Sequence, residues 1–374
     1  MKAGIVIPIN GGIINATASL AQVNRALMCA SLSDMETYIE CNEMPEDIFT
    51  TINSLKGQGA QIRYDGSGFE VVPLNISESE RGFAAAAAGH GFAGQNNRGE
   101  YHLQGDTAYR TINGLLFTLP IQSGDSKIIV TGKEECSANI RMTIDTLDMF
   151  NIKVERCVTD DGGATYLVAG GQRYKTPGIV KTEGDWTNSA FWLCAAAAYG
   201  SGVICENLSR SSRQADKEVM SILERFGAIT AYKGDSVAVR RSRLRSIRID
   251  IAETPDIVSA LALVAAVAEG QTVIYNAQRV GLDKNETLSK INKALTTIGA
   301  DIIENTDGLI IRGKPKLRGG TVSSLGDPRI AMMIAVAAGV CEDTVAINDA
   351  EAVRKVYPDF FDDYEKLGGQ VIKK

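Results

Sequence analysis

Five times along this chain an apolar stretch, in most copies rich in alanine, passes through a short Gly- or Ser-containing turn into a strand. The clearest copy is Glu183 to Gly202, EGDWTNSAFWLCAAAAYGSG, followed at once by VICENL. Others are NRALMCASLSDMETYIEC from Asn24, SALALVAAVAEGQTVIYNA from Ser259 and RIAMMIAVAAGVCEDTVAINDA from Arg329. RTINGLLFTLPIQSGDSKIIVTG from Arg110 is a looser match. Self-similarity of this kind restricts the fold to an array of one supersecondary repeat.

Each copy continues into a second, amphipathic helix, a Gly-containing or short polar turn, and a strand. The series reads EDIFTTINSLKGQGAQI, IRMTIDTLDMFNIKVE, KEVMSILERFGAITAY, NETLSKINKALTTIGADII and PDFFDDYEKLGGQVI. Ile222, Leu223 and Phe226 repeat at helical spacing and Gly227 follows as the stop. In all but the last copy a turn and one further strand follow, such as KGDSVAVRR or NTDGLIIRG. The repeat is therefore strand, helix, strand, helix, strand, strand. The last three copies are evenly spaced. Between the first two lies ISESERGFAAAAAGHGFAGQNNRG, rich in Ala, Gly and Asn, which reads as a surface loop with at most a short helix through FAAAAAG.

A first helix with so few charges has no polar face to turn to water, so it is expected inside a closed α/β domain. At 374 residues the chain is long enough for two such domains. A leading strand precedes most copies, as in EYHLQGDT, GIVKTEGD, IRIDIAETPD and GGTVSSLGDP, and each ends in a loop at the head of the buried helix. Helix N-termini carry unsatisfied N–H groups, so converging loops there predict a site for a phosphate or carboxylate.

Composition excludes several classes. A net charge of -6 argues against a nucleic-acid surface. No apolar run is long enough to cross a bilayer, and the first residues lack the pattern of a signal peptide, so a cytoplasmic location is expected. Seven cysteines without a C-x-x-C pair read as reduced, mostly core thiols. Only His90 and His102 are present, neither at metal-ligand spacing, and no metal is expected.

The ordered series EGDWTNSAFWLCAAAA, PD before an apolar helix, GDPRIAM and RKVYPDFF resembles the 5-enolpyruvylshikimate-3-phosphate (EPSP) synthase family over nearly the whole chain. The resemblance implies a two-domain inside-out α/β barrel built from βαβαββ repeats, with the active site between the domains. Residues 1–17 plus 184–374 would form a lower domain of three repeats. Residues 18–183 would form an upper domain of two, one fewer than the family has. The implied reaction transfers the enolpyruvyl group of phosphoenolpyruvate to the 5-hydroxyl of shikimate 3-phosphate and releases phosphate, without metal or organic cofactor. The implied partners are those two small substrates, with neither nucleic acid nor membrane, and the oligomeric state is left open.

Residue by residue the resemblance is uneven. The family's Lys-Ser-x-Ser-Asn-Arg-Ala-Leu is Leu20 to Leu27 here, so Asn24 and the acceptor-binding Arg25 are kept while the lysine and first serine are Leu20 and Ala21. A leucine cannot donate to a phosphate or offset developing charge. The Asn-Ala-Gly-Thr and Arg-Pro motif has no match. The family's serine pair and glutamine are Ala108, Tyr109 and Arg110, whereas Ser137 matches a phosphate-contacting serine.

The lower half keeps more. Asp256 matches the proton-accepting aspartate and is equally suited to capping a helix, and Asn276 matches its partner. In NETLS, Glu286 is kept, but the family's lysine and phosphoenolpyruvate-binding arginine are Asn285 and Ser289; Lys284 or Arg279 would have to substitute from other positions. Arg329 in GDPR matches the arginine that clamps phosphoenolpyruvate, and equally suits a loop before a helix that starts at Pro. Lys355 matches the last catalytic lysine. The expected site is thus Asp256, Glu286 and Lys355 for chemistry, with Asn24, Arg25, Ser137, Asn276 and Arg329 for binding. Two readings follow: an enolpyruvyl transferase, for this acceptor or another, or a non-catalytic relative that keeps the scaffold to bind an anion or a partner.

Overall fold

The chain opens with two strands, β1 (Lys2–Ile7) and β2 (Gly11–Asn15), whose sheet partners lie far along the sequence. The structure, a computed structural model, describes residues 1–74, 99–105, 109–132, 137–277 and 283–374. The expected loop over residues 77–98, and Ala108, Cys136, His90 and Arg279, lie outside the described residues. The chain divides into two units, Met1–Thr17 with Glu183–Lys374, and Ala18–Thr182.

The second of these units begins with α1 (Leu20–Ser31), β3 (Thr37–Glu40), α2 (Glu46–Gly57), β4 (Gln61–Tyr64) and β5 (Gly68–Val72). It continues with β6 (Glu100–Gln104), α3 (Tyr109–Thr118), β7 (Ser126–Thr131), α4 (Ser137–Met149), β8 (Val154–Val158), β9 (Ala164–Val168) and β10 (Ile179–Val180). Among the described residues these strands form two four-stranded sheets, β10-β3-β5-β4 and β6-β7-β9-β8. Each holds one parallel pair, and its other neighbours are antiparallel. That mixture follows from the repeat, since a helical crossover returns a strand parallel and a tight turn returns it antiparallel.

Back in the first unit come α5 (Trp186–Ala198), β11 (Gly202–Glu206), α6 (Val219–Phe226), β12 (Ile229–Lys233) and β13 (Ser236–Arg240). Then follow β14 (Arg248–Asp250), α7 (Val258–Val267), β15 (Gln271–Tyr275), α8 (Asp283–Thr297), β16 (Asp301–Asn305) and β17 (Gly308–Arg312). The last elements are β18 (Gly320–Ser323), α9 (Pro328–Ala337), β19 (Val345–Asn348), α10 (Phe360–Lys366) and β20 (Gln370–Lys373). Gly227 ends α6 in the left-handed region at φ 102°, as its place in the sequence predicts.

Three sheets result, β12-β13-β11-β2, β14-β15-β17-β16 and β18-β19-β1-β20. In the last, β1 lies antiparallel between β19 and β20 and supplies the strand that the fifth repeat lacks. One expectation needs correction. The strand in GIVKTEGD does not lead the third repeat: β10 pairs in parallel with β3 of the first, and β2 is the strand beside β11. The chain passes from one unit to the other just after β10, so sequence order and sheet membership part there.

The first unit's core is built on α5, α7 and α9, which pack against one another. From Val258 to Ala266 every residue of α7 is buried, as is nearly all of α5 and α9. The alanines allow three helices to approach closely at protein packing density. Trp192 of α5 stacks on Phe360 at 4.7 Å between ring centres and donates from Nε1 to the Tyr357 hydroxyl, fixing α10 to this core. Of the cysteines, Cys29, Cys41, Cys194 and Cys205 are buried free thiols, and desolvation pushes each upward, Cys41 to about 11. Cys157, by contrast, is exposed on β8.

Candidate functional site

The heads of the buried helices are where the sequence predicts an anion site, and two of them are already filled. Asp185 accepts from the Asn188 amide at 2.8 Å and caps α5. Asp327 accepts from the amides of Arg329 and Ile330 at 3.0 and 3.4 Å and caps α9, with Pro328 at the first helical position. The phrase Gly-Asp before both helices is an N-cap signature, so these N–H groups are met by the chain's own carboxylates. At these two heads the anion-binding capacity therefore rests on side chains.

Those side chains gather at the head of α9. An Nη of Arg329 lies 3.3 Å from Asp256 Oδ1, the two side chains being 36% and 47% exposed. Asp256 sits in a single 3₁₀ turn, Pro255–Ile257, one residue too early to cap α7. Its capping alternative is thereby set aside, and it pairs with the guanidinium. Asp256 foremost, then Asp216, Asp327 and Asp185, hold the Arg329 proton above the usual range against the opposing effect of burial. Lys355, at the end of the 3₁₀ turn Ala350–Lys355, donates from Nζ to the Gly326 carbonyl at 2.7 Å. Glu286 on α8 accepts an ion pair from Lys290 Nζ at 2.7 Å, and the same ammonium lies 3.7 Å from Asp327 Oδ2.

Asp216 is the second carboxylate of this cluster. It is buried in the 3₁₀ turn Ala215–Glu218 and accepts from the Thr187 hydroxyl. Desolvation, reinforced by the charges of Asp256 and Asp185, pushes its carboxyl up to about 7, opposed by Thr187 and Arg329. Asp256 therefore faces an arginine beside a carboxyl that exchanges a proton near neutrality. A carboxylate so placed can accept a hydroxyl proton while the guanidinium steadies an anion.

The remaining expected residues have other partners. Asn276 takes φ 66° after β15, donates from Nδ2 to Asp250 Oδ2 at 2.7 Å, and its amide donates to Asp307 Oδ2 at 3.1 Å. These contacts hold it to Asp250 and Asp307 rather than to Asp256. In the second unit Arg25 is buried. It donates to Thr143 Oγ1 at 2.8 Å, to the Ala21 carbonyl at 2.7 Å and to the Asn139 carbonyl at 3.0 Å, so it ties α1 to α4. Among the described residues Asn24 Oδ1 is buried and has no hydrogen-bond partner. Ser137 accepts from Arg141, one turn on in its own helix, at 3.2 Å. Leu20 opens α1.

Reading by residue type passed over Lys290 and Asp216. The first carried a legible signal, since Glu286 and Lys290 stand at i, i+4 on one helix face. The second carried none, because its burial comes from turns brought together by the fold. Among the described residues no group of three or more His, Cys, Asp or Glu side chains is placed to hold a metal ion.

The sequence model of the family described as EPSP synthase (3-phosphoshikimate 1-carboxyvinyltransferase) matches residues 74–364. The 3-phosphoshikimate 1-carboxyvinyltransferase of Clostridium perfringens is 32% identical, with 99% of each chain covered, and that of Clostridium novyi is 39% identical over 74% of this chain and 62% of its own. The first alignment spans 425 positions against 374 residues here, so that relative holds segments without a counterpart in this chain. Among solved structures, EPSP synthase from Acinetobacter baumannii superposes with a TM-score of 0.77 at 18% identity over the whole of both chains. The enolpyruvyl transferase NikO from Streptomyces tendae gives 0.73 at 14%, covering 99% of this chain and 98% of its own. Both likenesses concern the fold.

Proposed function

Because the chain belongs to the EPSP synthase (3-phosphoshikimate 1-carboxyvinyltransferase) family, we propose that it transfers the enolpyruvyl group of phosphoenolpyruvate to the 5-hydroxyl of shikimate 3-phosphate. The observation that carries this reading is the Arg329–Asp256 pair at the head of α9. Asp256 takes the hydroxyl proton as the hydroxyl oxygen bonds to C2 of phosphoenolpyruvate and C3 takes up a proton from solvent, so that the C2–C3 double bond becomes single. Arg329 and Lys355 hold the phosphoenolpyruvate anion. Loss of a proton from C3 then restores the double bond as the C2–O bond to phosphate breaks and phosphate leaves. Positioned proton transfer and fixed cations each contribute orders of magnitude to such a step.

A second reading is favoured by the second unit. Leu20 offers no cation, and Arg25 spends donors on Ala21, Asn139 and Thr143. A protein that binds the anion at α9 without transferring it, or that transfers to a less charged acceptor, does not require a cation at position 20.

Assay of inorganic phosphate released from the two substrates decides between the readings. The transferase reading expects release above background and a loss of about a hundredfold or more in Asp256→Ala with ligand binding kept. An inactive wild-type protein, or unchanged turnover in Asp256→Ala, overturns it.

A further inference from the structure

The family's phosphoenolpyruvate-binding arginine is Ser289 in this chain, an exposed and uncharged residue. A cation nevertheless stands beside it. From Glu286, positions i+3 and i+4 border the same stripe of α8, and these are Ser289 and Lys290. Moving a side chain from 289 to 290 turns it by about 100° around the axis and ~1.5 Å along it. The flexible stem of a lysine can take up such a shift.

Lys290 lies between two carboxylates of different standing. Glu286 is 71% exposed, and an exposed pair of this kind holds its lysine weakly. Asp327 is committed through Oδ1 to the amides at the head of α9 and leaves Oδ2 3.7 Å from the ammonium, whose side chain is only 22% exposed. Lys355 reaches the same loop through the Gly326 carbonyl, and Arg329 begins the helix that Asp327 caps. Three cations from three elements thus converge on the four residues Gly326 to Arg329.

Building on the enolpyruvyl-transfer reading above, we infer that Lys290 binds the phosphoenolpyruvate anion in place of the arginine lost at position 289, alongside Arg329 and Lys355. The test is calorimetric titration of phosphoenolpyruvate, with and without saturating shikimate 3-phosphate, into wild type, Lys290→Met, Lys290→Gln, Lys290→Arg and the exposed control Lys293→Ala. Removing the charge by Met or Gln is expected to weaken phosphoenolpyruvate binding by about tenfold or more, as loss of a charge-assisted contact should. Affinity for shikimate 3-phosphate should stay at the wild-type value, Lys290→Arg should restore phosphoenolpyruvate binding, and Lys293→Ala should change neither. Unchanged phosphoenolpyruvate affinity in both neutral variants, or equal losses for the two ligands, overturns the assignment. Phosphate release by the wild type is measured alongside. Binding that depends on Lys290 without phosphate release upholds the assignment and rejects transfer, whereas a wild type that binds no phosphoenolpyruvate overturns both.

Discussion

Asp216 carries the sharpest residue-scale consequence. An unfolded aspartate titrates near ~4, and here burial raises the carboxyl to about 7. The folded state therefore holds the proton more tightly. The stability linked to this group is fully present below the unfolded value and is lost as pH rises through the folded one. A shift of this size corresponds to at most ~4 kcal/mol, less whatever is shared with Asp256. Asp216→Asn, which keeps an acceptor for Thr187, should flatten the fall in melting temperature between about pH 4 and 7. Parallel profiles for wild type and variant would remove Asp216 as the cause. Arg25 shows the other side of residue-scale reading. The family resemblance implies acceptor binding for it, yet its bonds to Thr143 and Asn139 give it a structural task that no sequence position reveals.

At the scale of elements, the apolar helices do what their composition says. Ala265 lies in the last turn of α7 with no exposure, in the helix that α5 and α9 pack against. Leucine is nearly as good a helix former as alanine, so Ala265→Leu isolates packing from propensity. The added methyls should cost about 1–3 kcal/mol through overpacking, read as a lower urea midpoint. A neutral result would mean that the three helices leave room between them. The stop at Gly227 was legible, because it depends on neighbours within a turn; the Gly-Asp caps, though equally local, were passed over in favour of an anion site at the same helix heads. The partner of β10 was not, since a two-residue strand has no local mark of the sheet it joins.

For the whole molecule, two hydrophobic cores divide the chain, and every residue of each lies within one of the two units. Both tryptophans, Trp186 and Trp192, belong to α5 of the first unit. Tryptophan fluorescence therefore follows that unit alone, while far-UV circular dichroism follows both. Denaturant curves from the two probes should not coincide, as expected where separate cores unfold separately. Superimposable curves would show one cooperative transition instead.

By itself the sequence determined the repeat, the buried character of α5, α7 and α9, the family, and the losses at Leu20 and Ser289. These depend on composition and on spacings of a few residues, which local physics reads directly. Only the tertiary structure decided that β1 completes the fifth repeat, that β10 joins β3, that Asn276 is held by Asp250 and Asp307, and that Lys290, Arg329 and Lys355 meet at one loop. Strand partners and converging charges lie tens to hundreds of residues apart. Their pairing is set by how the sheets close around the buried helices, and closure leaves no signature in any one stretch of chain.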